Sequence, residues 1–153
     1  MEFRFKKNIV NFRIDDFEPL TDNVDTIERK IALLDKMKQQ IDPEKIKKIR
    51  NDYEQKLFSV KVVYYLNENT QVRGQYEKDL DNMTKIVSDV LTDYLSDQDK
   101  VNDKKTGLGL MHDDVDIHEL HLIKKFVKEN SRQGLDISLY KWGDKKSKMI
   151  PRT

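Results

Sequence analysis

The chain predicts a small α/β (α+β) domain: a mixed sheet, a helical hairpin inserted before the second strand, one further helix, and a C-terminal β-hairpin. Strand-like segments come first, from Phe3 to Ile14, then over 58–66, then at Leu135, Ile137 and Leu139 in alternation with polar neighbours. Between them apolar residues recur at three- and four-residue steps, from Val24 to Leu57 and again from Met83 to Leu95, the period of a helix face. A length of 153 residues with 37% apolar content fits one domain over 1–153 around a single core.

Composition narrows the chemistry. The 29 Lys+Arg and 28 Asp+Glu leave a formal net charge of +1, so affinity for nucleic acid has to come from local patches. The chain has no cysteine, which excludes disulfides, thiolate zinc sites and cysteine nucleophiles and fits a reducing cytoplasm. No apolar run approaches a membrane span, and MEFRFKKNIVNF lacks the apolar centre of a signal peptide, so an intracellular protein is expected.

In the first strand Phe3 and Phe5 share one parity and Val10, Phe12 and Ile14 the other, with a bulge or turn expected at Lys6-Lys7-Asn8. Val24, Ile27, Ile31, Leu34, Met37 and Ile41 form one helical stripe, and Ile46, Ile49, Tyr53 and Leu57 form the next. Asp42-Pro43 between them supplies an N-cap and a proline at the first helical position, predicting two antiparallel helices joined by a tight turn. The β-branched and aromatic run SVKVVYYL reads as a buried strand. Ser96 to Gly109, polar and broken by two glycines, reads as a mobile loop; Asp97 and Asp99 do not make a calcium loop, which needs a glycine at the turn and a closing glutamate. Val115–Val127 and Leu135–Leu139 are expected to pair as the terminal hairpin.

Two acidic segments stand out. In KDLDNMTKIVSD, Asp79 and Asp81 sit two apart where an extended segment turns into a helix, and Asp81 suits the N-cap. Asp81, Lys85 and Asp89 then form an i, i+4, i+8 row on the side away from Met83, Ile86, Val87, Val90 and Leu91. The second segment is the pair Asp113-Asp114 at the mouth of a strand. Ionised carboxylates held close suit a hard divalent cation such as Mg²⁺. The plain alternative is a helix cap with i, i+4 ion pairs and no ligand. His118 and His121, an odd number apart, point to opposite faces of a regular strand and do not share a metal, while His112 stands beside the acidic pair. The basic tail holds Lys141, Lys145, Lys146 and Lys148.

Taken together, KDLDNMTKIVSDVL and MHDDVDIHELHLIKK resemble the signature of RusA-type Holliday junction resolvases, the crossover junction endodeoxyribonucleases: Asp-x-Asp-Asn-x-x-Lys, an Asp one helical turn on, and an Asp-Asp pair opening the next strand. The resemblance implies catalytic residues Asp79, Asp81, Lys85 and Asp114, and metal ligands Asp79, Asp81 and Asp114 with Asp113 as a further member. It places Lys78 near DNA, with Lys124, Lys125, Lys145 and Lys146 as basic residues for the phosphate backbone. It implies Mg²⁺ or Mn²⁺, branched DNA as substrate, a C2 homodimer making two symmetric nicks, and a setting in phage or prophage recombination and repair. The chain departs from that pattern in its longer segment 96–109, in Asp116 where many members have glutamine, and in a larger helical hairpin. Two other classes fit the same residues: a DNA-binding protein of this fold that does not cut, and an interaction module built on the hairpin at 24–57.

Overall fold

The computed structural model describes residues 7–19, 26–68 and 80–144. They form a mixed α+β fold in the order β1 (Asn8–Asp15), α1 (Thr26–Lys38), α2 (Pro43–Asp52), β2 (Lys56–Asn67), α3 (Leu80–Leu91), α4 (Asp97–Val101), β3 (Ile117–Val127) and β4 (Gly134–Asp144). One four-stranded sheet runs β1-β4-β2-β3. β2 is parallel to β3 and antiparallel to β4, and β4 is antiparallel to β1.

β2 takes a central place because its run has hardly a residue that solvent would favour: Leu57, Phe58, Val60, Val62, Tyr64 and Leu66 are all buried. A parallel partner for β2 requires a crossover, and α3 supplies it. The terminal hairpin expected from the sequence is therefore replaced: β3 and β4 do not pair with each other but flank β2 on its two sides. The connection at 128–133 has only to step past one strand, roughly 10 Å, which six residues span readily. Gln133 and Asn130 tie that connection to Asn67 at the end of β2, with hydrogen bonds of 2.9 and 2.7 Å. The expected irregularity in the first strand lies between Asn8 and Val10, while Phe3 and Phe5 are outside the described residues.

The core joins Val10, Phe12 and Ile14 of β1, the inward residues of β2, and Leu135, Ile137 and Leu139 of β4 to Leu33, Leu34 and Met37 of α1 and Met83, Ile86, Val87 and Val90 of α3. The Tyr64 hydroxyl, in the core, shares a 3.0 Å hydrogen bond with Thr84 and so pins α3 to β2. The stripe of α1 is turned from its expected orientation. Ile27 and Ile31 are exposed, and the buried line runs Lys30, Leu33, Leu34, Met37. A charged side chain takes an inward position there because it has an acidic partner waiting, described below. Asp42 caps α2 as expected, accepting from the Lys45 amide at 2.8 Å, with Pro43 opening the helix.

Candidate active site

The site is built where α3 ends. The last turn of a helix leaves carbonyl groups without intrahelical donors, and here a returning segment supplies them. The amides of Gly107, Leu108, Gly109 and Leu110 donate to Asp93, Val90, Thr92 and Leu91 at 2.8 to 3.0 Å. Gly107 has no alternative at this approach, since a Cβ there would stand 2.0 Å from the Thr92 carbonyl oxygen. Gly109 has φ +77°, in the left-handed region that favours glycine. Leu108, Leu110 and Met111 are consequently drawn into the core.

The stretch 96–109 is thus tethered rather than a mobile loop. Ser96 caps α4 through the Asp99 amide at 3.2 Å, and the Thr106 hydroxyl donates to Asp99 at 2.8 Å.

A buried ion pair locks this return in place. Arg50 of α2 donates to both carboxylate oxygens of Asp93, at 2.6 and 2.8 Å, and to the Gly109 carbonyl at 2.9 Å, and it also meets the His112 ring. The side chains of Arg50 and Asp93 are 21% and 8% exposed. Burial pushes the Asp93 carboxyl up, but the hydrogen bonds and charge of Arg50 outweigh it, and the group stays below the ordinary carboxylate range.

Immediately after His112 the chain reaches the acidic pair. Asp113 opens a 3₁₀ turn over Asp114–Asp116, accepting from the Val115 amide at 3.3 Å and from Lys100 Nζ at 2.8 Å. Asp114 is hydrogen-bonded to Asp113. That bond, partial burial and the negative charges of Asp113 and Asp89 push the Asp114 carboxyl up to about 6. The same bond, together with Lys100, holds Asp113 down at about 2. One proton shared between two crowded carboxyls is the expected result of like charges at close range.

Between α3 and this turn lies a cleft of about 460 Å³, lined by Lys85, Asp89, Asp113 and Asp114 and also by Lys30, Lys100 and His112. Lys30 reaches it from α1 with a side chain only 7% exposed, bonded to Asp89 at 2.7 Å and to the Leu95 carbonyl at 2.9 Å. Carboxylates and ammonium groups line this cleft together. Such a surface suits a cation bridging to a phosphate, with the lysines meeting the remaining negative charge.

The structure brings Lys85, Asp113 and Asp114 into one cleft, and adds Asp89. Asp81 lies in the first turn of α3, one residue inside the helix start rather than at the cap, and its side chain is outside the described residues. Eight residues before Asp89, it stands about 12 Å back along the helix axis. Lys78, Asp79, Lys145 and Lys146 also lie outside the described residues. Lys124, beside the Phe126 ring, and Lys125 are on the far half of β3, roughly 25 Å along the strand from its acidic end. His118 contacts Trp142, and His121 lies 3.9 Å from Glu119, so the two histidines do not converge.

For a divalent cation, Asp113 and Asp114 offer the right oxygen donors, and a cation would offset the repulsion that raises Asp114. Among the described residues no three acidic or histidine side chains converge closely enough to complete a ligand set. The expected further ligands are Asp79 and Asp81. No protein-family model, curated protein or solved structure gives a significant match to the chain.

Sequence reasoning missed Arg50, Asp93, Lys30 and Lys100. Two signals were available. Asp93 follows the apolar face of α3 immediately, between Leu91 and Leu95, and Leu-Gly-Leu-Met at 108–111 is too apolar for a solvated loop.

Proposed function

We propose that the protein is a metal-dependent endodeoxyribonuclease that resolves four-way junctions and other branched DNA by paired nicks, using Mg²⁺ or Mn²⁺ and acting as a homodimer. The observation that carries this reading is the meeting of Asp113-Asp114, at the entry of β3, with Lys85 and Asp89 of α3 in one cleft edged by further lysines. These segments are more than twenty residues apart in the sequence, and they are the two that resemble the junction resolvases.

Asp113 and Asp114 would hold the cation at the end of α3 marked by Asp89; Asp79 and Asp81 are the further ligands that the resemblance implies, with Asp81 in the first turn of the same helix. When bound, such an ion neutralises charge on the scissile phosphate and lowers the pKa of a water for attack. Lys85 lines the same cleft and would stabilise the negative charge that builds on the phosphate oxygens. Lys100 holds Asp113 in its ionised form. Lys30 fixes Asp89 at the cleft wall, so that its charge stays paired when the site is empty. Arg50 and Asp93 keep the segment leading into the acidic pair in register with α3.

The test is cleavage of a synthetic four-way junction and a linear duplex of the same sequence, with Mg²⁺, Mn²⁺ or EDTA. Metal-dependent, symmetric nicking of the junction in preference to the duplex is the expected result. Binding of the junction with strong salt dependence and no cleavage in any metal would instead identify a non-catalytic binding protein.

A further inference from the structure

The two edges of the sheet are treated differently. At the β1 edge the Gln40 side chain closes a clip on Arg13: its amide oxygen accepts from the Arg13 amide at 3.0 Å, and its amide nitrogen donates back to the Arg13 carbonyl at 2.5 Å. Lys36 adds a bond to the Asp15 carbonyl. Such a clip blocks a further strand from pairing there. β3, at the other edge, is 11 residues long and among the described residues pairs on one side only, with β2. Along it Leu120, Ile123 and Phe126 are 46%, 36% and 52% exposed. A long edge carrying large apolar side chains is one that proteins normally cover.

The spacing of those three residues fits a second copy of the same strand. Leu120 and Phe126 are equidistant from Ile123. An antiparallel pairing of two β3 strands about a two-fold axis at Ile123 sets Leu120 against Phe126 of the other copy, Ile123 against its own counterpart, and Phe126 against Leu120. In that register Glu119 lies opposite Val127, and so diagonal to Lys125 on the same face, within reach of an ion pair. The same register sets Leu122 opposite Lys124 and His121 opposite Lys125, so the match is carried by the three exposed apolar residues, each of which meets an apolar partner, as an isologous contact requires.

We propose that β3 is the interface through which two copies of this chain join, edge to edge and antiparallel about Ile123, fusing two four-stranded sheets into one of eight. This deepens the homodimer of the proposed function, and its test is separate from cleavage, because oligomeric state is measured without DNA.

Cysteine scanning tests the contact and its register together, since the chain has no cysteine of its own. Residues paired directly across antiparallel strands have Cα atoms about 4.5 to 5.5 Å apart, within the span of a disulfide. Under mild oxidation Ile123→Cys should give a covalent dimer. Leu120→Cys and Phe126→Cys should not crosslink alone but should do so when mixed. In sedimentation the unmodified chain should be a dimer, and Ile123→Lys should weaken it at least about tenfold by setting two ammonium groups on the axis. Circular dichroism checks that each exposed-site variant is folded. A chain that stays monomeric throughout the micromolar range, a dimer indifferent to Ile123→Lys, or efficient self-crosslinking of Leu120→Cys in place of Ile123→Cys would overturn the proposal.

Discussion

Single residues at this site carry opposing electrostatic demands, and pH separates them. Asp114 is pushed up to about 6, so its contribution to stability is greatest at low pH and falls as pH rises from the ordinary carboxylate range through about 6. Asp113, held at about 2, behaves in the opposite sense and loses its stabilising effect as pH falls from the ordinary carboxylate range through that value. Asp114→Asn, which cannot ionise, should therefore be more stable than the unmodified chain at pH 7.5, by a margin that shrinks markedly at pH 4.5. Urea unfolding at the two pH values measures this. Mn²⁺ should raise the unfolding midpoint of the unmodified chain and not that of the variant, since a ligand stabilises only the state that binds it. The Arg50–Asp93 pair makes a different prediction. Arg50→Met strands a buried carboxylate and should lower stability by about 3 to 5 kcal/mol, while adding Asp93→Asn should restore much of the loss, because the uncompensated charge does the damage. Neither member of that pair was legible in the sequence as a partner of the other: 43 positions separate them, and Arg50 was one cation among many on a charged helix.

At the scale of elements, local periodicity was a good guide and pairing was not. The helices at 26–38, 43–52 and 80–91 and the strands at 8–15 and 56–67 follow from spacings within each segment. The partner of β3 does not, because both β2 and β4 offer apolar strands and the choice is made by the α3 crossover. The orientation of α1 also escaped local reading: Ile27 and Ile31 look inward by spacing, but Lys30 turns in to reach Asp89 and the Leu95 carbonyl. The return at 107–111 is the element on which the site most depends. Gly107→Ala would force a methyl group onto the Thr92 carbonyl and should cost about 1 to 3 kcal/mol, as overpacking does. Hydrogen exchange should show the amides of Leu108 and Leu110 losing protection in that variant, with the β2–β4 amides retaining theirs. Equal loss in both regions would mean that the return is not a separate unit.

For the whole molecule, the chain closes a sheet on one core and uses the crossover from β2 to β3 to carry one acidic segment past the other. No helix among the described residues is long and apolar enough to cross a membrane. The sequence pointed to Lys85, Asp113 and Asp114 because their residue types and order resemble a known signature, and the fold sets them in one cleft. It could not indicate Lys30 and Lys100, which enter from α1 and α4 and belong to no local pattern. The most direct measurement of the central claim is junction cleavage by two single variants, Asp81→Asn and Asp114→Asn, one from each acidic segment. With Mg²⁺ or Mn²⁺ the unmodified chain should nick the junction in symmetric pairs. Each variant should still bind it, with cleavage reduced at least about a hundredfold, or about 2.7 kcal/mol of transition-state stabilisation. Cleavage undiminished in either variant, or none by the unmodified chain in either metal, would contradict the account.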